Sequence, residues 1–286
     1  MLQDVLRLSR AGLERYRSAG LIPTLRSAKR HLFRFSSEYV RQRLLRGAWQ
    51  FDCLTSLRYR VQKRKHAAPA DPYARIRVTP GSTDHYVTER AVPRDLGLGQ
   101  IRGGDWDLEE REPLESLSIY VGLKQRFEDG RDWERTAYYE SAKRTFERGG
   151  SKAGCESLQQ WKRVRLAFEE ELFMDIKENG YQPNFEAGHD VPEIDHRSTD
   201  SRYKHRLEPL VAIGRDGAVY VADGYHRWTI AEILDLELIP VNVLARHREW
   251  QRIRNEISEA DGTPKSDPDL RKHLGHPDLK DVLTER

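Results

Sequence analysis

The stretch from Leu210 to Leu244 leaves the chain few ways to fold. Leu210–Ile213 and Val219–Ala222 are short β-rich runs, and Arg215-Asp216-Gly217 between them suits a tight hairpin turn. The second run passes directly into Asp223-Gly224-Tyr225-His226-Arg227. Trp228, Ile230, Ala231, Ile233 and Leu234 then recur at helical spacing, and Leu238–Leu244 reads as a further strand with Pro240 near its start. This order of strand, glycine turn, helix and strand predicts an α+β fold.

The flanking sequence predicts more elements of both kinds. Upstream, Leu158, Trp161, Val164, Phe168, Leu172 and Ile176 step by three and four along one long amphipathic helix, and Asn179-Gly180 stops it. Residues 132–148 form a second helix ended by Gly149-Gly150, and 114–127 a third. Arg75–Val78 and His85–Thr88 read as short strands around a Pro80-Gly81 turn. In Gly103-Gly104-Asp105-Trp106-Asp107, the tryptophan reads as the buried anchor of a glycine turn ahead of a cleft lining. Trp133, Trp161 and Trp228 lie on apolar helical stripes and read as core, and Cys155 as a small buried residue.

With 37% hydrophobic and 33% charged residues, 286 residues can build one or two globular domains. No stretch approaches the roughly 20 apolar residues of a spanning helix. The opening residues, from Met1-Leu2-Gln3-Asp4, show no apolar h-region and no small-residue cleavage site, so a secretory signal is not expected. Two cysteines are too few for a disulfide framework, so the chain reads as cytoplasmic and reduced. The net charge of +3 hides a division. Residues 1–66 hold 16 Lys and Arg against 4 Asp and Glu, a net +12, and the remainder carries −9. Residues 1–20 and 23–46 read as helices, with Gly20 between them and Pro23 in the first turn of the second. Ala67-Ala68-Pro69-Ala70-Asp71-Pro72 reads as a linker. The expected organisation is a basic helical arm (1–66), a small α+β segment (72–150), a core domain (151–260) and a C-terminal tail (261–286). The arm suits a polyanion, either DNA or an anionic membrane surface.

The turn at 223–227 is where chemistry is expected. Gly224 lets the backbone approach a ligand with no Cβ in the way. The amides that open the following helix are unpaired, and the helix dipole favours negative charge there. His226 adds a donor, and Arg227 can grip a phosphate with two parallel hydrogen bonds. Together these features predict an anion site, phosphate first. Asp223 beside them either caps the helix or holds a metal-bound water.

The run from Asp223 to Leu244, DGYHRWTIAEILDLELIPVNVL, resembles the ParB/sulfiredoxin-like superfamily, in which a strand ends in a G-x-x-R or G-x-H-R turn and a helix leads to an "IPV" strand. Leu172 to Pro183, LFMDIKENGYQP, is similar to the superfamily's helix ahead of that core. The matched blocks span roughly residues 165–247, and the Gly103–Asp107 region is similar to what precedes this core in uncharacterised archaeal proteins. The resemblance implies that Gly224, Tyr225, His226 and Arg227 hold nucleotide phosphates, ATP or CTP with Mg²⁺. It makes phosphoryl transfer or nucleotide hydrolysis the expected reaction. Sulfiredoxin carries its catalytic cysteine where Tyr225 stands, so sulfinic-acid repair is not expected. A partitioning ParB carries G-E-R-R and a DNA-reading domain, which also departs from this chain. The His variant is nearer the free-serine-kinase branch, where a carboxylate acts as base. Besides Asp223, Glu193 and Asp195 in the run His189-Asp190-Val191-Pro192-Glu193-Ile194-Asp195-His196 are the candidate bases or hard-metal ligands. The alternative from another class is a non-catalytic binding protein that docks on DNA or membrane through its arm. A ParB-like nuclease ranks last, since no metal-nuclease carboxylate cluster is evident.

Overall fold

The computed structural model describes residues 48–183, 207–260 and 267–284. The expected helices at 1–20 and 23–46, and the candidates Glu193 and Asp195, lie outside the described residues. The chain divides into two compact units, Met1–Gln50 and Phe51–Arg286.

The class is α+β. Helix α1 (Ala48–Lys65) leads to strands β1 (Arg75–Val78), β2 (His85–Val87) and β3 (Gln100–Arg102). A short helix α2 (Trp106–Glu109) and β4 (Arg111–Pro113) follow, then helices α3 (Ser118–Phe127) and α4 (Ala137–Glu147). The long helix is continuous but not uniform. α5 (Leu158–Trp161) and α6 (Ala167–Asn179) are joined by a π-helical turn, Lys162–Leu166. The hairpin β5 (Leu210–Ile213) and β6 (Val219–Asp223) feeds α7 (Tyr225–Ile233) and then β7 (Ile239–His247). α8 (Arg248–Glu259), α9 (Pro268–Arg271) and α10 (Lys280–Thr284) complete the described chain.

The strands make one mixed sheet in the order β1-β7-β5-β6-β2-β4, with β3 also on β7. β7 is its spine. β5 runs parallel to it on one side, while β1 pairs with Ile239–Asn242 and β3 with Ala245–His247 on the other. β1 and β2 therefore do not pair with each other across Pro80-Gly81. β1 goes to β7, and β2 joins β6 and β4. The segments expected as separate, 72–150 and 151–260, contribute strands to the same sheet.

Strand alternation explains why both faces are covered. Val211, Ile213, Val221, Val241 and Val243 point into one core with Trp228 of α7, Tyr120 of α3 and Trp250 of α8. The intervening Leu210, Ala212, Tyr220, Ala222 and Leu244 point into a second core with Phe51 of α1 and Trp106. Trp106 is buried as the glycine-turn reading expects, and its neighbours clasp the hairpin. The Arg215 backbone N–H donates to Asp107 Oδ2 (2.8 Å), and its guanidinium reaches both Asp107 and Asp105 Oδ1 (2.7 Å).

The C-terminal segment is a working part of the fold, not a loose tail. Asp278 is buried against Arg246 of β7 at 2.5 and 2.9 Å, with Arg254 of α8 at 3.3 Å and the Trp250 indole N–H donating at 2.9 Å. Burial pushes its carboxyl up, but the two guanidiniums outweigh that and hold it down at about 2.

Candidate functional site

Gly224 joins β6 to α7 in the left-handed conformation, φ +79°. A Cβ there would lie 2.8 Å from Pro209 Cα, so glycine is required both by angle and by space. Gly224 is itself the N-cap residue of α7, and no side chain caps the helix. Asp223 thus does not take the capping role. Its Oδ1 accepts from the Gly224 N–H (2.9 Å), and its Oδ2 lies 3.5 Å from Arg94 Nη1.

The five turn residues separate in the fold. Tyr225 packs edge-on against Tyr86; its hydroxyl donates to the Ala222 carbonyl (3.1 Å) and accepts from Arg94 Nη2 (3.1 Å). Burial pushes that phenol well above its ordinary range. Arg227, expected to grip phosphate, is 9% exposed and already committed. Its Nη1 donates to Glu208 Oε2 (3.1 Å), its Nη2 to the Gln182 carbonyl, and its guanidinium lies over the Tyr181 ring. It works as an internal ion pair that ties α7 to the chain ahead of β5.

His226 turns instead toward the long helix. Its Nε2 is 2.8 Å from Arg165 Nη2, and its Nδ1 is 2.6 Å from Glu169 Oε1. Arginine only donates, so Nε2 is the acceptor and the ring proton sits on Nδ1, close to Glu169 but without hydrogen-bond geometry to it. Glu169 is 0% exposed. Burial raises its carboxyl, but His226 and Arg165 beside it outweigh that and hold it below the ordinary carboxylate range. Arg165 Nε lies 3.1 Å from the same Oε1, so one carboxylate serves two partners.

The π-helical turn carries Arg165. A π turn inserts an extra residue into a helix and often marks a functional position. Here it lets Arg165, one turn ahead of Glu169, reach the histidine that Glu169 also holds. More positive charge gathers nearby. Lys152 lies over the rings of Tyr138 and Trp161, and Tyr138 packs edge-on against His226. Burial, with Arg144 and Arg165 close by, holds the Lys152 ammonium below its usual range. Among the described residues, Glu169 is the acid paired to this cluster of cations.

The predicted carboxylates fare unequally. Asp223 is at the turn, whereas Glu193 and Asp195 lie outside the described residues. No group of three or more His, Cys, Asp or Glu that could hold a metal ion occurs among the described residues. Asp223 is the one carboxylate they offer a magnesium ion at the turn, and both its oxygens have partners, so this set does not fit that ion. Three residues of the site went unread in the sequence: Arg165, Glu169 and Arg94. The first two did carry a signal, an i,i+4 charge pair inside an apolar helical stripe. Arg94 opens a single 3-10 turn, Arg94–Leu96, which is too short to carry a periodic signal.

Among the described residues no helix is long and apolar enough to cross a membrane. Comparison with known proteins found no matching family model, no matching curated protein and no matching solved structure.

Proposed function

We propose that this chain is a ParB/sulfiredoxin-like protein that binds a nucleotide phosphate at the N-terminus of α7, with Arg165 and His226 as its side-chain contacts. The observation carrying this reading is the Arg165–His226–Glu169 triad beside an α7 start that no side chain caps. Arg165 and Glu169 offset each other's charge and His226 is neutral at rest, so the pull on an anion comes from the positive end of the α7 dipole and its opening amides, with Arg165 and His226 as donors beside them. An arriving phosphate would draw Arg165 off His226 Nε2 and accept from its guanidinium. His226 would then take a proton at Nε2 and donate to the phosphate, while Glu169 steadies the imidazolium through Nδ1. Arg227 enters only by holding α7 in place. Phosphoryl transfer or hydrolysis would need a base, and Asp223 is the described candidate nearest the turn.

Calorimetric titration of ATP, ADP and CTP, with and without Mg²⁺, tests this reading. Hydrogen bonds to charged groups contribute about 1.5–3 kcal/mol each. Arg165→Ala should therefore weaken affinity roughly 10- to 150-fold, and His226→Ala about tenfold or more. Arg227→Ala should lower the melting temperature by orphaning buried Glu208 and change affinity far less. Failure of the wild type to bind any of the three, or equal affinity in Arg165→Ala, would overturn it.

A further inference from the structure

Helix α1 has two faces of different kinds. Its inner face is tied to the loop before β3. Thr55 Oγ1 accepts from the Leu98 N–H (3.0 Å), Arg58 donates to the carbonyls of Leu96 (2.6 Å) and Leu98 (2.7 Å), and Gln62 donates to the Gly99 carbonyl (2.7 Å). Its outer face is the stripe Cys53, Ser56, Leu57, Arg60, Val61 and Arg64, spaced i, i+3, i+4, i+7, i+8, i+11, and every one is exposed. Leu57 is 57% exposed and Val61 43%, one turn apart, with Arg60 and Arg64 interleaved. Neither arginine has an acidic partner among the described residues.

We propose that this stripe docks the protein on an anionic lipid surface. A helix lying on a membrane sinks its apolar side chains to the acyl boundary and sets its cations among the headgroups. Interleaved Leu57, Arg60, Val61 and Arg64 meet both needs on one face. A nucleic-acid duplex would use the arginines but gain nothing from Leu57 and Val61. Charge complementarity points the same way. Residues 1–66 carry net +12, while the remaining chain carries −9 and is repelled by an anionic surface. The side-chain ties of the inner face hold the stripe outward, so docking needs no unfolding. This inference is independent of the phosphate site.

The test uses the full chain and vesicles of phosphatidylcholine alone or mixed with phosphatidylserine. Binding is read by co-sedimentation of unlabelled protein. It is read again by an environment-sensitive fluorophore on Cys53, selective because Cys155 is only 1% exposed. Binding is expected to the mixed vesicles only, weakening as salt rises, with blue-shifted emission. Leu57→Asp/Val61→Asp should weaken it about tenfold or more, since it removes the apolar contact and adds repulsion. Circular dichroism checks that the variant folds. The proposal is overturned if the wild type ignores both vesicles, binds pure phosphatidylcholine equally well, or is displaced from vesicles by duplex DNA. Unchanged binding of the double variant would also overturn it, because residues 1–47 are intact there and would then account for all of it.

Discussion

Glu169 sets what His226 can do. A carboxylate at 0% exposure would ordinarily be protonated or paired, and this one is paired twice. Arg165 donates to His226 Nε2 and so leaves the ring proton on Nδ1 beside Glu169, and the histidine becomes a donor to phosphate only by taking up a proton. Calorimetry in buffers of differing ionisation enthalpy should therefore show proton uptake on nucleotide binding. Glu169→Gln should abolish that buffer dependence and weaken affinity about tenfold, because a neutral amide no longer steadies the imidazolium. Buffer-independent enthalpies in the wild type would refute this role for the dyad. At the same scale, Arg227 shows how one residue changes meaning with its partner. The side chain best suited to phosphate is used to satisfy buried Glu208.

The connection from β6 to α7 is the element on which the site depends. Gly224 combines a positive φ with contact against Pro209, and each penalises any larger residue separately. Gly224→Val should lower unfolding free energy by about 2–4 kcal/mol, combining a strained backbone of order 1–3 kcal/mol with overpacking. Denaturant titration would show this as a lower midpoint with an unchanged slope. A wild-type midpoint would mean that the turn relaxes freely. The π turn at Lys162–Leu166 has the matching role on the facing helix, bringing Arg165 to His226 across 61 residues of sequence.

For the molecule as a whole, the C-terminal segment closes the fold over β7 and α8. Asp278→Ala would leave the buried guanidiniums of Arg246 and Arg254 short of their carboxylate. Breaking a buried pair this way costs about 3–5 kcal/mol. The carboxyl is depressed in the fold, to about 2, so its contribution is complete above the unfolded aspartate range near pH ~4 and is lost as pH falls toward 2. Stability followed by circular dichroism from neutral to acid should fall through that window in the wild type. In Asp278→Asn the fall there should be shallower from an already lower starting stability. Parallel curves for the two proteins would contradict the assignment.

Much of the local structure was legible in the sequence, because periodicity and turn chemistry act within a few residues. The β5–β6 hairpin, the glycine-started α7, β7, α4 and the helix ending at Asn179-Gly180 all follow from such signals. So does the α+β class, and so does burial of Trp106, Trp161 and Trp228. The three-residue strands β3 and β4 carry no pattern of their own and exist only because a longer strand pairs with them. Nor does pattern reveal that β1 chooses β7 over its neighbour β2, or that 72–150 and 151–260 share one sheet. The same holds for charge. The sequence marked 223–227 as a place for anions, yet which cation serves there depends on which buried acid each one meets. Glu208 takes Arg227, while Glu169 takes His226 and Arg165. A buried carboxylate must be neutralised wherever the fold puts it, and only the tertiary packing decides which side chain does so.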